Sequence, residues 1–208
     1  MLKRLFSTIY DSQSGKFIRH VKPKIFDLSL LRPDINPDII KNMNKDHTIV
    51  IPSISNIKGL DNNFNNISAI SQNMSEINDI ITYNNVSNTK IEATFLVTEQ
   101  WNGQQSRTKE LKEMILHANK NNIVTTSIMK LKGNIDLYRL TDFNANLADW
   151  ECKYILLYFD KVEEDLIREI IENAFNIDCE NEPMSKRLGV YGSDMAKSMS
   201  VMHFAIES

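Results

Sequence analysis

The chain is sparing with the residues that most often carry chemistry or punctuate a fold: 2 Cys, 4 His, 6 Gly, 5 Pro and 2 Trp among 208 residues. Cys152 and Cys179 are too few and too far apart for a zinc cluster or a Cys-x-x-Cys redox pair, so each reads as an ordinary thiol. His20, His47, His117 and His203 include no i, i+4 pair that could hold a metal on one helix face, and no metal site is expected. There is no Gly-x-Ser-x-Gly elbow, no phosphate-binding Walker loop and no Gly-x-Gly-x-x-Gly fingerprint. Neither a catalytic residue nor a cofactor is therefore assigned from motifs. No apolar run approaches the roughly 18 residues of a spanning helix.

Acidic residues are almost missing from the start. Residues 1–24 hold six Lys or Arg (Lys3, Arg4, Lys16, Arg19, Lys22, Lys24) against Asp11 alone, and Leu2, Phe6, Ile9 and Tyr10 fall near one face of a helix. A basic, hydroxyl-rich, acid-poor amphipathic segment has the character of a mitochondrial presequence, which points to the matrix. The apolar stretch is too broken for the core of a secretory signal. Without those residues, 18 basic face 26 acidic side chains, a balance that works against binding driven by a phosphate backbone and favours protein partners.

Residues 25–90 form an Asn- and Ile-rich region of short elements. A short helix is expected to begin near Pro37, where a missing N–H costs nothing. HTIVIPSI reads as a short strand over 48–54 that Pro52 confines to an edge or ends. Ile67, Ile70, Met74, Ile77, Ile80 and Ile81 recur at intervals of three and four, which predicts an amphipathic helix.

Residues 91–208 are clearer. In IEATFLVT, Ile91, Ala93, Phe95 and Val97 alternate with Glu92, Thr94, Leu96 and Thr98, the period of a strand. A helix over 106–119 follows, marked by Leu111, Met114, Ile115 and Ala118, and then a β-branched strand over 123–131. KYILLYFD predicts a strand over 153–159. It leads into a helix over 161–175 whose Asp160 and Glu163 have the spacing of a reciprocal cap. MSVMHFAIE supplies a last strand over 200–207. The order β-α-β-β-α-β predicts an α+β, ferredoxin-like sandwich for residues 91–208. Residues 132–151 leave room for a further strand at Ile135 to Leu140, pairing as a hairpin. The alternative is a three-layer α/β fold that recruits the 48–54 strand.

Four residues stand out as an RNA or partner face. Tyr154 and Tyr158 would lie together on the side of the sheet away from the helices, where aromatics can stack bases. Lys186 and Arg187 precede Gly189 and Gly192 in SKRLGVYGSD, a weak anion-loop pattern. The acids along the 161–175 helix read as a solvated face. The function expected from sequence is a noncatalytic mitochondrial protein that supports translation on the mitoribosome or respiratory-complex assembly through protein contacts. A small enzyme with a dispersed site, drawing on residues such as Asp142, Glu151 or Lys186, and an RNA-binding module are the alternatives.

Overall fold

The computed structural model describes residues 7–11, 16–21, 26–31, 38–97, 105–132, 136–160, 165–166, 169–170, 173 and 201–207. Near the start, β1 (Ser7–Asp11) and β2 (Lys16–Val21) pair antiparallel, so Ile9 and Tyr10 lie in a strand and not on the helical face expected of residues 1–24. Seven further strands form one sheet, arranged in chain order: β3 (Phe26–Asp27), β4 (Thr48–Ile51), β5 (Ile67–Ile70), β6 (Ile91–Val97), β7 (Thr125–Lys132), β8 (Tyr154–Asp160) and β9 (Val201–Glu207). Each neighbouring pair from β3 to β8 is parallel, and β9 runs antiparallel to β8. Helices α1 (Ile39–Asn42), α2 (Met74–Val86), α3 (Gln105–Lys120) and α4 (Leu137–Asp149) fall between strands.

This overturns the ferredoxin-like sandwich. The architecture is a six-stranded all-parallel curled sheet flanked by helices, closer to a Rossmann-like three-layer α/β fold than to an antiparallel split β-α-β unit. Two segments cause the difference. Where room was left for a further strand at Ile135 to Leu140, the chain from Leu137 onward is α4, whose Leu140, Phe143 and Leu147 are buried. A helix there is the crossover that a parallel β7–β8 pair needs. The helix expected from Ile67 onward begins only at Met74, and Ile67–Ile70 is a strand. All four of its residues are buried, as a parallel strand covered on both faces requires, so its sequence shows no alternation. Strand β4 ends at Ile51, just before Pro52.

The strand order never reverses. Because parallel crossovers are right-handed in nearly all proteins, successive helices then pack on the same face. Ile77 and Ile80 of α2, Met114 and Ile115 of α3, and Leu140 and Leu147 of α4 all join one core with Ile49, Ile67, Phe95, Met129 and Leu157 of the strands. The opposite face holds a second, smaller cluster: Phe26, Leu28, Val50, Ile70, Ile128 and Leu156, with Tyr154 packed against it.

That smaller cluster reveals the curl. Phe26 in β3 and Tyr154 in β8 have ring centroids 5.9 Å apart at an interplanar angle of 70°. In a flat sheet, five strand steps of about 4.8 Å would put them roughly 24 Å apart. The sheet bends round on itself, with helices outside and the second cluster inside. Seven strands approach the eight whose closed barrel is just filled by its own side chains.

Candidate functional site

In this arrangement the parallel strands all end at one rim, where the chain leaves Ile51, Ile70, Val97, Lys132 and Asp160. Ligand sites of parallel α/β sheets and barrels are built from the segments that follow the strands at that rim. The β5–α2 turn is fully described. Ser71 N–H donates to the Thr94 carbonyl at 2.8 Å, carrying the ladder one residue past β5. Asn73 Oδ1 accepts from Glu76 N–H at 3.1 Å, and Glu76 Oε2 accepts from Gln72 N–H at 2.5 Å. This reciprocal cap fixes where α2 starts. The Ser71 hydroxyl is buried with no hydrogen-bond partner.

Inside the curl, register sets the side chains in rows. One row runs Ile70, Thr94, Thr126, Tyr154. The next, nearer the rim, is Leu96, Ile128, Leu156. Lys130 comes one step further along β7, paired in register with Tyr158, which is itself opposite His203. Ser68 Oγ and Thr94 Oγ1 share a hydrogen bond of 2.6 Å, whereas the buried Thr126 hydroxyl has no partner. Ser71 and Thr126 are the two buried, unsatisfied side-chain polar atoms among the described residues. Burial differs across the row of Leu96, Ile128 and Leu156. Ile128 is 6% and Leu156 0% exposed, yet Leu96, on the middle strand of seven, is 46% exposed, and Lys130 is exposed beside it. The interior is closed at Thr126 and, in the next row, at Ile128 and Leu156; Leu96 is the exposed member of that row.

The buried thiol lies at the other end. Cys152 precedes β8 and its Sγ is 3.3 Å from Ser127 Oγ on the helix-facing side of β7. Burial pushes the thiol's pKa up, outweighing the hydrogen bonds from Ser127 and its neighbours that pull it down. A thiol held neutral in this way is a packing residue and a poor nucleophile.

Of the residues singled out from sequence, Tyr154 sits at the start of β8, half-buried against Phe26, with Lys153 Nζ 6.0 Å from its ring centroid. Leu156 on the same face is fully buried, so this face is not an open stacking platform there. The Tyr158 side chain, Lys186 and Arg187 lie outside the described residues. Asp142 is exposed on α4, and Glu151 is exposed in the turn before β8, at the rim opposite Ser71 and Lys130. The structure does not bring Asp142 and Glu151 to the open mouth. Sequence reasoning passed over Ser71, Leu96, Thr126 and Lys130. One signal was present: Asn73 and Glu76, three apart, mark a helix start and would have put Ser71 in a strand-to-helix turn.

No family model, curated protein or solved structure matches this chain.

Proposed function

We propose that the chain is a small enzyme that binds its substrate at the mouth of the curled sheet, and that its basic N-terminal segment directs it to mitochondria. The observation that carries the first part is the exposure of Leu96 at the rim. Leu96 is exposed at the C-terminal end of the central parallel strand, the end at which such sheets take ligands, beside the buried Ile128 and Leu156 of the same row. At the same rim the buried Ser71 hydroxyl, which follows Ile67 and Ala69 on the helix side of β5, has its hydrogen bond unmade.

An assembly role through an exposed Ile-rich helix has less support, because Ile67, Ile70, Ile77 and Ile80 are buried. Base stacking on the sheet is weakened in the same way by the buried Leu156.

The test is a two-dimensional NMR screen of the full chain against mixed central metabolites, followed by mass spectrometry of any mixture that binds. Binding at the mouth moves the Ser71, Leu96 and Lys130 signals and is accompanied by conversion of one component. Shifts confined to Lys153 and Tyr154, or none with any mixture, would remove the reading. For the second part, a C-terminally tagged chain should be protease-protected within isolated mitochondria and shortened at its N-terminus. A full-length cytosolic product would contradict it.

A further inference from the structure

We draw no further inference here: the strongest candidate, the buried Ser71 hydroxyl in the turn between β5 and α2, belongs to the site already described, and the start of α2 beside it is closed by the Asn73 and Glu76 side chains.

Discussion

Phe26 and Tyr154 meet edge to face at 5.9 Å although four strands separate β3 from β8 in the sheet. Their contact is made across the interior, so it reports curvature and not strand pairing. Edge-to-face pairs add about 0.5–1.5 kcal/mol beyond area burial. Phe26→Leu and Tyr154→Leu should therefore show a coupling of about 1 kcal/mol in a double-mutant cycle measured by urea unfolding. Additive losses would mean that the rings do not interact in solution.

The paired and the lone inner hydroxyls should respond in opposite ways. Thr126→Val removes a buried hydroxyl that has no partner and should leave stability unchanged or raise it by about 1 kcal/mol. Thr94→Val strands the buried Ser68 hydroxyl, which it meets at 2.6 Å, and should cost about 1–3 kcal/mol. Chemical denaturation of both variants checks the contrast. A loss in Thr126→Val as large as in Thr94→Val would show that the Thr126 hydroxyl is bonded in solution.

Two helices end on residues in the left-handed region, Asn122 after α3 and Glu151 after α4, both at φ 58°. Each end is closed by a bond back to the last turn, Ile123 N–H to Ala118 O at 3.0 Å and Cys152 N–H to Leu147 O at 2.9 Å. Asparagine takes that backbone at lower cost than glutamate. Glu151→Gly should raise stability by up to about 1 kcal/mol, and Asn122→Gly by much less. Thermal melts of the two variants side by side give the comparison.

Asn119 holds the same two turns together. Its Nδ2 donates to the carbonyls of Trp150 and Glu151, each at 3.0 Å, and its Oδ1 accepts from Thr125 Oγ1 at 3.2 Å. Asn119→Ala leaves those groups without it and should cost about 2 kcal/mol, whereas the neighbouring exposed Lys120→Ala should be nearly neutral. Equal urea midpoints for the two variants would contradict this.

The Cys152 thiol sets an alkaline limit. Its folded pKa is raised above the ordinary 9.0 by burial, so the folded chain keeps the proton after the unfolded chain has lost it. The stability held below about pH 9 is then lost as pH rises from the unfolded value toward the folded one. Tyr83, raised mainly by desolvation and held by Asp61 at 2.9 Å, acts in the same direction at higher pH. In a Cys179→Ser background, Cys152→Ala should flatten the first part of the alkaline decline, even if its overall stability is lower. An unchanged slope between pH 8 and 10 would show that the thiol does not contribute.

Much of the secondary structure was legible, and the topology was not. Strand alternation in residues 91–97, the stripe of α3 and the final strand follow directly from side-chain period. The mistake at residues 132–151 came from leaving room there for a strand at Ile135 to Leu140 and none for a helix, when Leu137, Leu140, Phe143 and Leu147 carry a helical stripe. Missing that one helix turned a parallel crossover into a hairpin and changed the fold class. At Ile67–Ile70 the isoleucines fit two periods at once, because burial on both faces erases alternation. The mouth was illegible for a different reason. Leu96 and Lys130 become neighbours only through the β6–β7 register, which no spacing within either strand reveals.

The unreversed strand order also bears on how the chain is made. Each strand from β4 to β8 pairs with the one just before it in sequence, across a single connection. A nascent chain emerging N-terminus first can therefore add each βα unit to an edge already in place, without waiting for a distant partner. Only the closing contact between Phe26 and Tyr154 must wait until β8 has been delivered. A translation pause or a truncation before β8 would thus leave an ordered but open half-built shell, its inner apolar residues exposed to chaperones and proteases.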